Sequence, residues 1–237
     1  MITKEQVLKR IKNQAIISCQ AYEPSPHAHC EDMVKMAQCA VLAGSVGLRV
    51  NDPVYVKAIR EACGEEVIII GIWKIMIEGN DVYITPTMEA VDALVEAGSN
   101  IIALDCTDRI NAYGTLGYDL VPQIKAKYPN IVVMADCSTY EEMLKAKDAG
   151  VDIVSSTLCG YTEYTKDRYA DHPDYELIEK MVTIKDVIAL AEGRIWTVED
   201  MQKCFEMGVD TVVIGTAITN PYLIAKRFMK YQTEYFK

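Results

Sequence analysis

Eight short runs of apolar, mostly β-branched residues alternate along the chain with longer segments that carry helix start and stop signals. The runs end at glycines or polar side chains, as buried parallel strands end at their loops. They predict strands near residues 15–20, 45–50, 66–74, 100–105, 131–137, 153–159, 187–194 and 211–217. The segments between them predict helices near residues 31–43, 52–62, 87–97, 117–128, 139–149, 173–183, 197–207 and 221–235.

One helix-stop signal recurs in every second unit. The strings LAGSVG, EAGSNI, DAGVDI and EMGVDT place Gly44, Gly98, Gly150 and Gly208 roughly 55 residues apart, about twice the length of one strand-plus-helix unit. A glycine just beyond a helix, followed by an extended apolar run, is the expected turn from helix to strand. Helix start signals fall at Asp52-Pro53, Thr87, Ser138-Thr139 and Thr197.

Eight strand–helix alternations predict an α/β fold, a (β/α)8 TIM barrel that forms one domain over residues 1–237. The length agrees with the roughly 250 residues of such a barrel. Two small domains are the alternative, but no linker rich in Pro, Gly or Ser divides the chain. An open doubly wound sheet is the other alternative, but no GxGxxG turn follows the first strand.

The composition limits which classes of binding partner and which cellular location we expect for the chain. Half of the residues are hydrophobic, and the formal net charge of −10 argues against nonspecific nucleic-acid binding. An anionic substrate therefore needs a local cationic patch. The N-terminal segment is charged and has no signal-peptide core, and the longest strongly apolar stretch, residues 67–73, is far below the ~20 residues of a membrane span. We expect a soluble cytoplasmic protein with no membrane partner.

Cysteine and histidine usage points to a reduced chain without a metal. The eight cysteines form no CxxC pair, and Cys19, Cys106, Cys137 and Cys159 fall at predicted strand ends, where small buried thiols are common. There are only three histidines, and the pair in HAHC at residues 27–30 has no partner cluster elsewhere. We expect no metal site.

Polar side chains at the predicted strand ends mark the catalytic face of the barrel. This set is Gln20, Arg49, Lys74, Asp105, Asp136, Thr157, Glu192 with Arg194, and Thr216. For Gln20 and Asp105, capping of a loop is an equally good explanation.

Lys74 and Glu192 are the candidate acid and base. Lys74 closes the most hydrophobic strand, where desolvation lowers a lysine pKa towards that of a proton acceptor; the alternative is a lysine that extends to solvent. Glu192 precedes Gly193, a candidate phosphate-binding residue, so it needs a cationic neighbour, and we expect Arg194 or Lys74. One lysine and one glutamate in one site make a workable acid–base pair.

Two groups of loops are expected to hold the substrate. The loops after strands seven and eight build a phosphate site in many barrels, and here they bring Gly193, Arg194, Gly215 and Thr216. The loop after strand six, TLCGYTEYT at residues 157–165, is suited to hydrogen-bond a polyol, or alternatively packs the rim.

Several strings, in the same order, resemble the N-acetylmannosamine-6-phosphate 2-epimerase family. They are SCQA at 18–21, VGLR at 46–49, GIWK at 71–74, YITPTMEAVDAL at 83–94, IIALD at 101–105, MADCST at 134–139, TLCGYTEYT at 157–165, AEGRI at 191–195 and GTAITNP at 215–221. The resemblance covers about residues 14–230, and the ordered combination is highly specific.

The resemblance implies a cofactor-independent enzyme of bacterial sialic acid use that interconverts N-acetylmannosamine 6-phosphate and N-acetylglucosamine 6-phosphate. Lys74 and Glu192 are then the proton-transfer pair. The implied partner is a phosphorylated amino sugar, and we expect a homodimer. The implied sugar-binding residues are Gln20, Arg49, Asp136, Thr157, Gly160, Tyr161 and Thr162. The implied phosphate-binding residues are Gly193, Arg194, Gly215 and Thr216.

The chain departs from the family pattern at four positions. Ile75 and Met76 stand where an arginine and an aspartate are usual, Trp196 replaces a smaller polar residue, and Asn220 replaces an arginine. The change at position 220 bears on one phosphate or dimer contact that the resemblance implies, and none of the four changes touches Lys74 or Glu192. Two other functions are compatible with the residues. One is a lyase or transferase that forms a Schiff base on the lysine, and the other is a phosphosugar sensor without catalytic activity.

Overall fold

The computed structural model describes residues 2–236 and shows eight parallel strands closed into a barrel in the order of the sequence. The strands are β1 (Gln14–Cys19), β2 (Gly47–Asn51), β3 (Ile68–Ile72), β4 (Ile101–Asp105), β5 (Val132–Asp136), β6 (Ile153–Ser155), β7 (Ile188–Glu192) and β8 (Thr211–Ile214). Pairing of β8 with β1 closes the ring, with Gln14 opposite Thr211. The predicted (β/α)8 TIM barrel is confirmed. The predicted domain limits, residues 1 and 237, lie outside the described residues, so the assignment to one domain stays a prediction.

Helices follow the strands on the outside of the barrel, and one further helix precedes the first strand. They are α1 (Lys4–Ile11), α2 (Cys30–Leu42), α3 (Pro53–Cys63), α4 (Met88–Glu96), α5 (Gly117–Lys127), α6 (Tyr140–Ala149), α7 (Tyr175–Met181), α8 (Val198–Glu206), α9 (Thr216–Thr219) and α10 (Pro221–Tyr235). Gly44, Gly98, Gly150 and Gly208 all have left-handed φ angles between 96° and 102°, as the predicted helix-stop signals require. The predicted start signals also form: Asp52, Thr87, Thr139 and Thr197 cap their helices with side-chain oxygens.

Helix α1 was absent from the sequence-based prediction. Its side chains Val7 and Ile11 are buried against the residues that fill the barrel interior, so α1 covers the end of the barrel where the strands begin. A capping box between Thr3 and Gln6 starts the helix, and Lys4 pairs with Asp152 at 2.6 Å. The alternation of charged and apolar residues in this segment therefore encodes an amphipathic helix.

Four strands end two or more residues earlier than their apolar runs predict. β3, β6, β7 and β8 stop at residues 72, 155, 192 and 214, so Lys74, Thr157, Arg194 and Thr216 lie in the following loops or at the start of α9. A parallel strand ends where its neighbour stops offering hydrogen-bond partners, and this limit is not visible in an apolar run. These four residues are consequently free to point into the space above the strands.

Two apolar layers support this end of the barrel. One fills the interior, and the other lies between the strands and the surrounding helices. Cys19, Cys106, Cys137 and Cys159 are buried in the outer layer, as predicted. Across residues 2–236, no helix has both the length and the apolar character needed to cross a membrane.

Candidate active site

A cavity of about 680 Å3 opens at the carboxyl ends of the strands. This size is ample for a small phosphorylated metabolite. Its lining contains most of the predicted site residues: Gln20, Arg49, Lys74, Thr157, Tyr161, Glu192, Gly193, Arg194, Gly215 and Thr216. The side chains come from six different strands or the loops that follow them. Barrel closure thus gathers residues that are far apart in sequence.

The inner end of the cavity contains a buried charge cluster. Arg49 donates to both oxygens of Asp136, at 3.1 and 2.6 Å, and its Nη1 also donates to Glu192 Oε2 at 2.9 Å. The Arg49 side chain is 1% exposed, Asp136 0% and Glu192 14%. The expected neighbours of Glu192 were Arg194 or Lys74; the charge of Lys74 does act on Glu192, but neither residue forms an ion pair with it in the described part of the chain. Arg49 is the direct ion-pair partner, because its long side chain extends from β2 to both carboxylates.

The surroundings shift the pKa values of Glu192 and Arg49. Burial raises the pKa of Glu192 to about 7, although the positive charge of Arg49 opposes the shift. Burial opposes the charge of Arg49 as well, but the carboxylates of Asp136 and Glu192 raise the pKa of its guanidinium above the ordinary value. Glu192 therefore exchanges its proton near neutral pH, while Arg49 stays charged.

Lys74 lies in the loop after β3 and is half-buried. Its backbone N–H donates to Asn51 Oδ1 at 2.8 Å, and its Nζ donates to the hydroxyl of Tyr22. Burial and the positive charge of Arg49 lower the pKa of Lys74 to about 8, against the opposing effect of Glu192 and Asp136. The alternative of an ordinary, solvated lysine is thus not what the structure shows.

Tyr22 is a cavity residue that the sequence interpretation missed. Its hydroxyl accepts from Lys74 and donates to Gln20 Oε1, while Gln20 Nε2 donates to Ser18 Oγ at 2.8 Å. Burial raises the pKa of Tyr22, which keeps it a neutral hydroxyl. Its position two residues after Gln20, in the loop after β1, was the available signal in the sequence.

Asp136 has no contact with the cavity. It is fully buried below Arg49, and Ser155 Oγ donates to its Oδ1 at 3.1 Å. Thr157 lies at the cavity surface and donates to Glu192 Oε2 at 3.1 Å. Of these two predicted sugar-binding residues, the structure therefore brings Thr157 to the cavity and places Asp136 behind it.

The loop after β6 borders two cavities. Tyr161 lines the large cavity and also a smaller neighbouring one of about 290 Å3, whereas Gly160 and Thr162 line only the smaller one. The Thr162 hydroxyl is buried against Thr165 and Ser138. This loop is consequently held by its own hydrogen bonds, and only part of it faces the large cavity.

The outer end of the cavity offers neutral donors. In residues 2–236, the backbone N–H groups of Gly193, Gly215 and Thr216 have no acceptor in the protein. Arg194 adopts a positive φ of 58°, and its side chain donates to the carbonyl oxygens of Cys159 at 2.6 Å and His172 at 3.1 Å. The arginine side chain therefore also ties the loops after β6 and β7 together.

Helix α10 contributes cations to this outer end that the sequence interpretation missed. Lys226, Arg227 and Lys230 all line the cavity, and Arg227 lies 4.4 Å from the centre of the Trp196 ring. Asn220, where the resembling family has an arginine, caps α10 by accepting from the N–H of Leu223 at 3.1 Å. The i, i+4 spacing of residues 226 and 230 was a readable signal, but only the fold shows that this helix face meets the cavity.

The chain offers no cluster of metal-binding side chains in its described part. Across residues 2–236, no group of three or more His, Cys, Asp or Glu side chains is arranged to hold a metal ion. Met76 is exposed and Ile75 is partly exposed in the loop after Lys74, and neither lines the large cavity.

The sequence is similar to proteins of one family along nearly its whole length. The profile of the family described as "Putative N-acetylmannosamine-6-phosphate epimerase" matches residues 33–234. A protein named "Putative N-acetylmannosamine-6-phosphate 2-epimerase" from Caldanaerobacter subterraneus subsp. tengcongensis is 43% identical over 228 residues, or 96% of this chain and 94% of the relative. A protein of the same name from Clostridioides difficile is 41% identical over 224 residues, or 94% of this chain and 98% of the relative.

Solved structures agree with the sequence similarity. The N-acetylmannosamine-6-phosphate 2-epimerase from Clostridium perfringens superposes with a TM-score of 0.88 at 38% identity, covering 94% of this chain and 95% of the other. A thiamine phosphate pyrophosphorylase from Pyrococcus furiosus, at 14% identity and a TM-score of 0.59, shares the barrel fold alone.

Proposed function

The chain belongs to the N-acetylmannosamine-6-phosphate epimerase family, and we propose on this basis that it interconverts N-acetylmannosamine 6-phosphate and N-acetylglucosamine 6-phosphate. In this proposal it is an N-acylglucosamine-6-phosphate 2-epimerase that inverts C2 of the ring-opened sugar. The observation that carries the proposal is that Lys74 and Glu192 line the same cavity. Their pKa values, about 8 and about 7, allow both to transfer protons near neutral pH.

The reaction consists of one proton removal and one proton return. Opening the sugar ring gives a C1 aldehyde, which makes the C2 proton acidic. One member of the Lys74–Glu192 pair takes that proton, and the electron pair moves to O1. The other member then gives a proton to C2 on the opposite face, as the electron pair returns from O1 to form the new C2–H bond and restore the C1 aldehyde. The pair ends with its protonation exchanged, and proton exchange with solvent restores it.

Arg49 and Gln20 support the charge that develops on O1. The guanidinium of Arg49 supplies a permanent positive charge at the inner end, and Asp136 and Glu192 hold it there. The Gln20 side chain lies at the same end, beside Tyr22. Asp136 acts in this proposal as a positioning residue, because it reaches the cavity only through Arg49.

The phosphate binds at the outer end of the cavity. The unpaired backbone N–H groups of Gly193, Gly215 and Thr216 supply neutral donors, as in other barrels that bind phosphate with the loops after strands seven and eight. The guanidinium of Arg194 adds a positive charge at the same end, and its remaining N–H groups are further donors. Binding a remote phosphate orients the reacting carbon between Lys74 and Glu192.

Solvent deuterium tests the proposal directly. In deuterium oxide, the wild-type protein should place deuterium at C2 of N-acetylmannosamine 6-phosphate and form the epimer. Binding of the sugar phosphate with no C2 exchange would show a sensor instead. A covalent adduct on Lys74 after borohydride treatment would show the Schiff-base chemistry of a lyase or transferase.

We also propose a homodimer. In the described part of α10 no side chain is fully buried, and its Phe228 and Met229 are 67% and 59% exposed, which favours a second copy as the covering partner. Mass measurement by light scattering should give twice the chain mass, and a monomeric mass at micromolar concentration would contradict it. Location in the cytoplasm stays a prediction.

A further inference from the structure

The outer end of the cavity has an excess of positive charge in a chain of net charge −10. One face of α10 presents Lys226, Arg227 and Lys230 to the cavity, and Asp171 is the carboxylate that lines it there. Three cations against one anion leave a local positive surface. A sugar hydroxyl gains little from such a surface, whereas a phosphate dianion gains Coulomb energy and hydrogen bonds.

Arg227 is the best placed of these cations. Its side chain is 28% exposed, while Lys226 and Lys230 are exposed. The guanidinium carbon lies over two aromatic rings, 4.4 Å from the centre of Trp196 and 5.4 Å from that of Tyr231. Stacking on aromatic faces restricts an arginine without using its N–H groups.

The N–H groups of Arg227 are left available. Its contact with Asp171 is a long one of 3.5 Å, and Tyr231 already donates to the other oxygen of that carboxylate at 2.8 Å. Among residues 2–236, the guanidinium has no hydrogen bond shorter than this weak contact with Asp171, which contributes only a minor part of the lowering of the Asp171 pKa. Arg194 differs, since carbonyl oxygens occupy two of its nitrogen atoms.

We propose that Arg227 is the principal cationic ligand of the substrate phosphate, held ready by Trp196 and Tyr231 and flanked by Lys226 and Lys230. The phosphate is then clamped between the guanidinium on α10 and the backbone N–H groups after β7 and β8. This inference rests on the proposed function for the identity of the sugar, but the clamp itself recognises any phosphomonoester that fits the cavity.

The test compares Arg227→Ala with a matched control. Arg10→Ala removes the same charge at the opposite end of the barrel, where Arg10 pairs with Glu66. For N-acetylmannosamine 6-phosphate, we expect Arg227→Ala to raise KM about tenfold or more, the usual effect of losing a hydrogen bond to a charged group, while Arg10→Ala leaves it unchanged. Arg227→Lys should recover part of the loss, because the charge remains but the stacked fork does not.

A second measurement separates the phosphate contact from damage to the helix. The KM for unphosphorylated N-acetylmannosamine should not change in Arg227→Ala, and calorimetry should show about tenfold weaker binding of inorganic phosphate. Equal losses for both sugars, or unchanged phosphate binding, would overturn the inference.

The calorimetric measurement also distinguishes the two proposals. It needs no turnover, so a wild-type protein that fails to exchange the C2 proton still reports on Arg227. Phosphate binding that depends on Arg227, without epimerisation, would sustain the clamp and reject the proposed function. Epimerisation together with phosphate binding that does not depend on Arg227 would support the proposed function and reject the clamp.

Discussion

The two ends of the cavity hold their charges in opposite ways. At the inner end, Arg49 and Asp136 are 1% and 0% exposed and are joined by two short contacts. At the outer end, Arg227 and Asp171 are 28% and 53% exposed and meet at 3.5 Å. The inner cluster is therefore part of the folded core, while the outer charges remain in contact with solvent.

In the proposed function, this difference corresponds to two tasks. Proton transfer from carbon needs groups whose pKa values are moved towards neutrality, and burial is the largest cause of both shifts, at Lys74 and at Glu192. Capture of a phosphate needs donors that are not already satisfied and that solvent can reach. Burying the outer arginine in a tight ion pair would remove the N–H groups that the proposed phosphate clamp needs.

The largest expected effect is on turnover when the inner pair is broken. Lys74→Ala and Glu192→Gln should each lower kcat by about 10² to 10⁴, the usual contribution of a positioned acid or base. Binding of the substrate should change much less, because the phosphate end is intact. Rates of C2 deuterium exchange measure the effect, and near-normal exchange in either variant removes that residue from the mechanism.

The second effect is on stability and contrasts the two carboxylates. Asp136→Ala leaves the buried guanidinium of Arg49 without its main partner and should lower the free energy of unfolding by about 3–5 kcal/mol. Asp171→Ala breaks an exposed ion pair and an exposed hydrogen bond from Tyr231, and should cost only about 1 kcal/mol. Urea titrations of both variants measure the difference, and equal losses would show that the two ends do not differ as described.

The third effect is on the pH profile of the inner end. Protonation of Glu192 below about 7 and deprotonation of Lys74 above about 8 give a bell-shaped rate profile with its maximum between these values. The limbs belong to the coupled pair, and outside them the rate should fall about tenfold per pH unit. Residual activity of Glu192→Gln should lack the acidic limb, and that of Lys74→Ala the alkaline one. A bell that is unchanged in both variants would assign the titration to other groups.

The smallest expected effect is at Tyr22. Its hydroxyl accepts a hydrogen bond from the Lys74 ammonium and so favours the charged form. Tyr22→Phe should therefore lower the pKa of Lys74, move the alkaline limb to lower pH and reduce kcat about fivefold, the value of one hydrogen bond. The other charges near Lys74, those of Arg49, Glu192 and Asp136, are unchanged by the substitution.

Tyr83→Phe is the matched control for Tyr22. The Tyr83 ring lies 6.0 Å from Lys74 Nζ. Its hydroxyl makes no hydrogen bond with Lys74 among the residues that the structure describes. The alkaline limb should stay in place in this variant. A shift of the same size in both variants would mean that the hydrogen bond from Lys74 to the Tyr22 hydroxyl is not what tunes the lysine.

The sequence by itself determined the barrel and the main candidates for chemistry. Strand and helix signals are local, so apolar runs, capping residues and the glycines after helices predicted eight units. Because the carboxyl ends of parallel strands meet on one face of a barrel, the polar residues at those ends were found without knowing any contact. Lys74 and Glu192 belong to this class.

Only the tertiary structure decided which of these residues touch. Arg49 and Glu192 are 143 positions apart, and their contact follows from closure of the ring and from the reach of one arginine side chain. The same holds for Arg227, whose helix face meets the cavity through Trp196, and for Asp136, which lies behind Arg49 and not at the surface. A local sequence pattern determines the strand, helix or loop on which a residue lies. Its burial depends on which residues the closed barrel brings around it, and its pKa and ion-pair partners follow from that burial.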